Sequence, residues 1–220
     1  MIKELKIILN IVIPIELILL SCVPGVSMAQ KSDTVSIRRT VIIDTLLVKP
    51  RTSKFYPLNN FETGYREDNI KFRKIKNKAF SVGEHLVFEI AYGFIKAGTA
   101  TMSIPDTQWV HGRPCYHIVT TAESNKFFSF FFRVRDRVES LIDVDGIFTW
   151  KFEKHIREGK FSADKYVEYD QYHRNVITKK DTMPVPLYVQ DILSSFYYAR
   201  TVPMKVGESF DIDNLSLIHI

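Results

Sequence analysis

Histidine and carboxylate side chains are the groups in this 220-residue chain that could bind a metal ion or transfer protons. The strand register derived below places His155 opposite Asp136, and a carboxylate that orients an imidazole is found in both general bases and metal sites. No third partner accompanies this pair. Apart from His219, the other histidines lie singly on different predicted strands and turns: His85, His111, His117 and His173. We therefore interpret His155 and Asp136 as a polar cross-strand pair, and the sequence predicts neither a metal site nor a cofactor.

Nucleophilic and phosphate-binding chemistry lack their usual patterns in this sequence. No Gly-x-Ser-x-Gly elbow is present, and Gly93 and Gly98 have the wrong spacing for a phosphate-binding loop. Cys115 lies within a strand pattern, where a buried, inert thiol is expected. Glu153 and Asp164 give a glycan hydrolase the weakest support, because both are predicted on a solvated face without a cleft. The sequence therefore predicts that the protein is not an enzyme.

Residues 130–137 combine phenylalanines with Arg133, Arg135 and Arg137. Aromatic rings interleaved with cations suit single-stranded nucleic acid. The chain also carries an export signal, described below, which argues against a nucleic-acid partner. We interpret this segment as the charged beginning of a strand.

Strands with period-two patterning must position these residues. Apolar and polar residues alternate over 85–92 and 99–104, and Gly93 and Gly98 bracket the turn between these two strands. A third strand is predicted over 115–121, after the His111-Gly112 turn, with Tyr116 and Ile118 on one face.

The dipeptide Asp145-Gly146 predicts a two-residue hairpin, because glycine accepts the positive φ of such turns. In that register Leu141 faces Trp150, and a second turn at Glu158-Gly159 places Trp150 opposite Val167. One face then collects the apolar residues Leu141, Phe148, Trp150, Phe152, Ile156, Phe161, Val167 and Tyr169. The other face is predicted to be mainly solvated and carries Ser140, Thr149, Lys151, Glu153, Ser162, Asp164 and Glu168.

The same register puts charged residues, including Arg137 and Lys154, on the aromatic face. Unpaired buried charges cost several kcal/mol each, so these residues must pair or reach water. A half-open barrel, apolar at depth and charged at its mouth, satisfies both demands and suits an amphiphile with an acidic head. A one-residue slip or a β-bulge is the alternative, because it moves the charges to the other face. The predicted ligand face is Leu141, Phe148, Trp150 and Phe152, with Arg137 and Lys154.

A helix is predicted over 191–200, where Ile192, Phe196 and Ala199 have helical spacing. Residues 127–132 are ambiguous between a short helix and a bulged strand. The predicted fold class is all-β: a curved antiparallel sheet or half-open barrel with one short C-terminal helix.

The first residues predict export. Lys3 and Lys6 precede an apolar run over 7–20, and small residues at 27 and 29 fit cleavage between Ala29 and Gln30. Residues 19–22 also resemble a lipobox, which would lipidate Cys22 and anchor the mature chain to a membrane. Asn10, Pro14 and Glu16 interrupt the apolar run and disfavour a transmembrane helix. Residues 1–29 are therefore predicted to be a signal peptide.

The predicted organisation continues with a polar tether over 30–79, which has one apolar island at 41–48. A β-rich domain follows over 80–214. Residues 215–220 match the peptide translated from a transposon end used to tag DNA for sequencing, and we expect them to be adapter sequence. On that expectation the native chain continues past Asn214 and the fold is incomplete.

Six stretches together resemble a family of exported bacterial proteins, the domain of unknown function 3108. They are residues 80–98, 125–128, 134–140, 152–155, 157–160 and 190–198. The resemblance covers roughly 77–213 and implies an all-β exported protein that continues beyond this chain. It brings no activity and no catalytic residues.

These observations predict an exported protein in the periplasm or outer membrane of a Gram-negative bacterium. We expect it to bind a hydrophobic or amphiphilic envelope component such as a lipid; the alternative is a structural or assembly partner of another envelope protein. Membrane association is predicted only if Cys22 is lipidated. The formal charge of +5 is compatible with an anionic partner but is also that of an ordinary solvated surface.

Overall fold

A computed structural model of the protein describes residues 35–41, 70–92, 95–205 and 209–215. Within these residues, nine strands form one antiparallel meander in which each strand pairs with the next. β1 and β9 are the outermost strands, and the sheet is not closed. The strands are β1 (Val35–Val41), β2 (His85–Tyr92), β3 (Ile95–Val110), β4 (Arg113–Ser124), β5 (Arg135–Asp143), β6 (Thr149–Glu158), β7 (Phe161–Asp170), β8 (Asn175–Thr178) and β9 (Thr182–Pro184).

In the described part of the chain, two short helices accompany the sheet: α1 (Lys126–Phe131) between β4 and β5, and α2 (Ile192–Ala199) after β9. The predicted fold class is confirmed, since the chain is mainly β, the sheet is antiparallel and open, and a short helix follows it. Among the described residues, neither helix has the length and apolar character needed to cross a bilayer.

β2, β3 and β4 follow the predicted alternation, although β3 and β4 are longer than predicted. His111 and Gly112 have φ values of 48° and 71°, as a two-residue hairpin turn requires, and Val110 pairs with Arg113 on either side of them. A β-bulge between Ser103 and Asp106 interrupts this pairing.

The inner face of the sheet is the face that α2 covers. Its apolar side chains and those of α2 form one core cluster that extends from β2 to β8. The buried members include Leu86, Phe88, Met102, Ile118, Val138, Phe152, Val167, Tyr169, Val176, Leu193, Phe196 and Tyr197. Because one short helix covers the centre of this face, residues far apart in sequence share a single core.

Helix α2 is fixed to the sheet at its first turn. Asp191 caps the helix by accepting from the backbone N–H groups of Leu193 and Ser194, in a reciprocal capping box with Ser194. The hydroxyls of Ser140 and Thr149 donate to Oδ2 of Asp191 at 2.6 Å and 2.5 Å. Burial raises the pKa of Asp191, and these donors oppose that shift.

The β5–β6 turn differs from the predicted two-residue hairpin. The loop is longer, and its left-handed residue is Ile147, with a φ of 49°, rather than Gly146. Gly146 is needed for a different reason, since a Cβ at this position would clash with the ring of Phe148. Arg73 donates to the carbonyls of Gly146 and Ile147 and holds the loop from outside. The dipeptide Asp145-Gly146 alone does not indicate these hydrogen bonds from Arg73.

A β-bulge at Trp150 corrects the predicted register between β5 and β6. Leu141 pairs with Lys151 but Ile142 pairs with Thr149, so Trp150 is the extra residue. Leu141 is therefore not opposite Trp150. The slip-or-bulge alternative is the one that the structure adopts, and it places Ser140 and Thr149, predicted to be solvated, in the buried interior.

The β6–β7 turn is displaced as well, because Glu158 pairs with Phe161 and the turn is Gly159-Lys160. The turn moves by one residue and each pairing partner by two, which preserves the alternation, so Phe152 and Val167 share the inner face as expected. Phe161, predicted on the apolar face, is exposed at the end of the sheet.

A second cluster lies on the outer face, opposite α2. Its buried members are Phe72, Val110, Cys115, Leu141, Phe148 and Trp150, with Tyr172, Leu187 and Tyr188 packed against them. Cys115 is buried as predicted, and burial raises the pKa of its thiol. Nε1 of Trp150 donates to Asp143 at 3.1 Å, so the bulged tryptophan satisfies its polar atom.

The segment before Phe80 contains no described helix or strand over 70–79, yet it packs on the domain. Phe72 is a buried member of the outer cluster, and Arg73 stacks on the ring of Tyr188 at 4.3 Å. Packing therefore begins before Phe80, the predicted start of the domain. Of the apolar island at 41–48, only Val41 lies within the described residues, as the last residue of β1.

Candidate functional site

The six residues of the predicted ligand face do not share one face of the sheet. Leu141, Phe148 and Trp150 belong to the outer cluster, whereas Phe152 belongs to the inner core. These four side chains are at most 3% exposed, so they already pack against other residues. Binding of an amphiphile by these apolar residues stays a prediction, but the bulge at Trp150 divides the surface on which it rested.

The two charged members of that predicted face are also separated. Nε of Arg137 donates to Oε1 of Glu139 at 2.5 Å on the outer face. Lys154 pairs with Val138 in the register and lies on the inner side, where its charge acts on Asp136 and Glu158. Ala29, Gln30 and Cys22, the predicted processing sites, lie outside the described residues.

A network of imidazoles and carboxylates occupies the outer face of β3 to β7. The ring nitrogens of His117 lie 2.6 Å from Glu139 and 3.1 Å from Asp106. The ring nitrogens of His155 lie 2.8 Å from Asp164 and 3.3 Å from Glu153. Each histidine thus lies between two carboxylates.

Glu139 and Glu153 join the two halves of this network because they are register partners on β5 and β6. The predicted pair of His155 with Asp136 is wrong, because the bulge shifts the register by one residue and His155 pairs with Arg137. Asp136 instead accepts from the backbone N–H of Arg157. His117 and Glu139 were not anticipated as partners; their signal is that both alternate with inner-face residues on the adjacent strands β4 and β5.

The surroundings of the two central carboxylates, Glu139 and Glu153, shift their pKa values in opposite directions. For Glu139, burial favours the neutral acid, but hydrogen bonds from His117 and Arg137 together outweigh it and lower the pKa. For Glu153, burial raises the pKa, and the nearby charge of Glu139 adds to this shift. Pairs of this kind serve as acid and base in hydrolases. Here Glu139 is 4% exposed and Glu153 is 7% exposed, and both carboxylates have internal partners, so the geometry favours an internal role.

Metal binding finds no support in the described part of the chain, where no cluster of three or more histidine, cysteine or carboxylate groups is arranged around an ion. His173 contacts Asp170, and His111 contacts Glu168, in separate places.

The surface that contrasts with this network lies at one end of the sheet, around α1. Three phenylalanines of α1 are exposed: Phe127 by 68%, Phe130 by 86% and Phe131 by 57%. Their rings contact one another, with centroid distances of 5.6 Å for Phe127–Phe131 and 5.2 Å for Phe130–Phe131. Large apolar side chains grouped on a surface mark a binding site more often than scattered ones do.

Neighbouring turns place further apolar residues at the same end. Asn125, the N-cap of α1, hydrogen-bonds through its backbone and side chain to the carbonyls of Ala97 and Lys96 at the start of β3, which brings Ile95 close. The backbone N–H of Gly159 donates to the carbonyl of Arg133 at 2.7 Å, which brings the β6–β7 turn to the end of α1. We call this surface the aromatic end; its exposed members are Ile95, Phe127, Phe130, Phe131 and Phe161.

Glycine at 159 is required for this arrangement. Its φ of +59° is left-handed, and a Cβ would approach the ring of Phe132 to 2.7 Å. The β6–β7 turn can therefore lie against the residue that ends α1 only because position 159 has no side chain.

Four cations surround the aromatic end: Lys126, Arg133, Arg135 and Lys160, all exposed. Among the described residues, none of them has a carboxylate within ion-pair distance, whereas nearby Lys96 pairs with Glu89 and Arg157 pairs with Asp164. Glu123, the register partner of Arg135, is an exposed carboxylate at this end. The charged strand beginning predicted at Arg133 to Arg137 is present, since β5 begins at Arg135, and the ambiguous residues 127–132 form most of α1 and its C-cap.

The fold and these surfaces define a mainly β protein with an open antiparallel meander, an internal acid–imidazole network and an aromatic, cationic end. The family described as "Protein of unknown function (DUF3108)" matches residues 87–216, more than half of the chain, and the chain belongs to this family. Comparison with curated proteins and with solved structures gave no match. The family resemblance seen in the sequence is confirmed.

Proposed function

We propose that this protein is exported to the Gram-negative cell envelope and binds an amphiphilic envelope component there, rather than catalysing a reaction. The binding surface is the aromatic end and not the face predicted from the hairpin register. The export signal in residues 1–29 and the lipobox around Cys22 support the location.

The exposure of three adjacent phenylalanine rings on α1 carries this proposal. None of the six residues of α1 is buried, so these rings contribute little to the core of the protein. Exposed phenylalanine in water is unfavourable by about 1.5–3 kcal/mol per ring relative to full burial. An amphiphile that covers these rings recovers that free energy, whereas the polar network on the outer face has its groups paired internally.

Flotation on a density gradient tests the proposal. We expect the purified mature chain to float with vesicles of phosphatidylethanolamine and phosphatidylglycerol. A variant with Phe127, Phe130 and Phe131 replaced by serine should stay at the bottom. Trp109→Ser, which removes an exposed apolar side chain outside the aromatic end, is the matched control and should float normally. A wild-type chain that associates with no vesicle or detergent micelle would contradict the proposed function.

Export has a separate test. Residues 1–29 fused to a reporter enzyme that is active only outside the cytoplasm should give activity. Cys22→Ala distinguishes the two processing routes: loss of membrane-bound reporter with retained secretion indicates lipidation of Cys22, whereas no change indicates cleavage after Ala29. Assembly with another envelope protein through the outermost strands β1 or β9 stays the alternative prediction.

A further inference from the structure

We propose that the aromatic end docks on an anionic bilayer surface, with the α1 phenylalanines at the boundary between acyl chains and headgroups and Lys126, Arg133, Arg135 and Lys160 on the headgroups. This inference rests on the proposed function and names the partner of the same surface.

The geometry of α1 fits an interfacial depth. Phe127, Phe130 and Phe131 have the i, i+3 and i+4 spacing that puts side chains on one face of a helix. A helix of six residues is about 9 Å long, far too short to cross a bilayer. Short amphipathic segments with aromatic residues on one side instead insert their apolar face about 5–10 Å below the surface.

Electrostatics select an anionic surface over a neutral one. The four cations lie beside the rings and lack an ion-pair partner among the described residues, so no internal contact must break when they meet a headgroup. Each basic side chain at an anionic membrane strengthens binding by about fivefold, because one such contact is worth about 1 kcal/mol. Glu123 is an exposed carboxylate that opposes this attraction.

Two carboxyl groups on the inner side of the aromatic end have cations beside them. Glu158, which bridges to Val134 at the end of β6, contacts Asp136, and Lys154 and Arg157 face this pair. Burial raises the pKa of both carboxyl groups. The charge of this pair is therefore opposed by neighbouring cations when the two carboxyl groups are ionised.

The side-chain chemistry favours lipid over nucleic acid or an acidic protein. Phenylalanine rings can stack on nucleic-acid bases, but the predicted export argues against that partner. The exposed aromatic residues of α1 are all phenylalanine, a residue typical of the apolar face of interfacial helices. Phe130 is 86% exposed, so the ring protrudes and does not line a groove. A protruding apolar tip with a cationic rim is suited to inserting into a soft surface.

Two sets of vesicles test the inference with the full mature chain: phosphatidylcholine alone, and phosphatidylcholine with phosphatidylglycerol. Wild-type protein should bind the anionic vesicles at least tenfold more tightly, and salt should weaken that binding. The variant Lys126→Gln, Arg133→Gln, Arg135→Gln, Lys160→Gln should lose the preference for phosphatidylglycerol but keep weak binding to both sets. Replacement of four exposed lysines elsewhere, Lys71, Lys76, Lys78 and Lys179, by glutamine removes the same charge and should leave the preference intact.

A Phe130→Trp variant reports the depth without removing an aromatic ring. Its fluorescence should shift to the blue on anionic vesicles, and lipids brominated near the headgroup should quench it more than lipids brominated at the chain end. Trp109 and Trp150 of the wild-type chain supply the background spectrum.

The outcomes separate the two proposals. Binding to both vesicle sets without a preference for phosphatidylglycerol, or an equal loss in the two charge variants, overturns docking on an anionic surface and leaves amphiphile binding in place. No binding to any vesicle or micelle overturns the proposed function as well. A wild-type chain that binds a single-stranded oligonucleotide but no vesicle also overturns both.

Discussion

The aromatic end and the outer cluster are built from the same kinds of residue, phenyl rings and cations, but only the outer cluster closes on itself. In the outer cluster, Arg113 stacks over Phe72 at 5.1 Å while its guanidinium binds Asp143 at 2.5 Å and 2.9 Å. At the aromatic end the rings of Phe127, Phe130 and Phe131 contact one another, Phe127 also contacts Phe128, and all three are mostly exposed to solvent.

The difference lies in the chain segments that reach each region. Residues 70–75, the β5–β6 loop and the segment around Tyr188 converge on the outer cluster and provide a ring or a carbonyl for each cation. At the aromatic end, the start of β3 and the β6–β7 turn contact the backbone at the two ends of α1, and its exposed face is left open. Aromatic residues beside cations thus stabilise the fold where a segment covers them, and are available to a partner where none does.

The largest expected effect on the free energy of unfolding is in the outer cluster, at Trp150. Trp150→Ala should lower the free energy of unfolding by about 3–5 kcal/mol, since it opens a cavity in a fully buried cluster and leaves Asp143 without one donor. Phe130→Ala should change it by less than about 0.5 kcal/mol. Urea titration followed by circular dichroism measures both values. If Phe130→Ala costs as much as Trp150→Ala, then the aromatic end is part of the core and is not a binding surface.

Much of the sheet could be predicted from the sequence because strand alternation and turn residues are local signals. The strand at His85–Tyr92, the turn at His111-Gly112, the buried thiol of Cys115 and the helix capped by Asp191 all follow from residues within a short window. The ambiguous segment at 127–132 forms α1, whose Asn125 cap accepts from the backbone N–H of Phe128.

The bulge at Trp150 could not be predicted, because its cause is spread over the chain. Asp143 accepts from Trp150, from Arg113 on β4 and from the backbone of Gly146, and Arg73 holds the adjoining loop. The extra residue in β6 shifts the pairing of β5 with β6 by one residue. The alternation predicted within each strand was right, but residues predicted on one face of the sheet, such as Leu141 and Phe152, lie on opposite faces. The candidate site at α1 was visible as a sequence pattern, but its exposure depends on which segments happen to cover it.

An intermediate effect is expected in the acid–imidazole network, because its charged groups have internal partners like those of the outer cluster. Glu139→Gln should lower the free energy of unfolding at pH 7 by about 1.5–3 kcal/mol, because a buried carboxylate loses its charged hydrogen bonds to His117 and Arg137. The folded-state pKa of Glu139 is lowered below its usual 4.5. Its contribution is therefore complete above pH 4.5 and is lost as the pH falls through the folded-state pKa.

Unfolding of wild-type and Glu139→Gln proteins across a pH series measures this contribution. The two curves should converge at acidic pH, separate as the pH rises through the folded-state pKa, and be fully separated above pH 4.5. Vesicle flotation of Glu139→Gln should be unchanged at a temperature where it remains folded, because the network lies away from the aromatic end. A variant that is equally destabilised at all pH values would show that shape, and not charge, is what Glu139 provides.

Glu153→Gln gives the smallest expected effect and the opposite sign. The folded-state pKa of Glu153 is raised, chiefly by burial and also by the charge of Glu139. Ionisation of Glu153 therefore costs stability: the cost is absent below its unfolded-state pKa of 4.5 and complete above the folded-state pKa. A neutral glutamine of the same shape removes this cost, so Glu153→Gln should be slightly more stable than wild type at pH 7 and equal to wild type in acid. The gain at pH 7 should be smaller than the loss caused by Glu139→Gln.

The double variant Glu139→Gln, Glu153→Gln completes a cycle with the two single variants. Because the two residues are register partners, the gain from Glu153→Gln should shrink once Glu139 is neutral. If Glu153→Gln destabilises the protein as strongly as Glu139→Gln does, then the hydrogen bond to His155 outweighs burial at Glu153. Both central carboxylates would then be stabilised in their charged form. The pKa of each would not depend on how many internal donors it has.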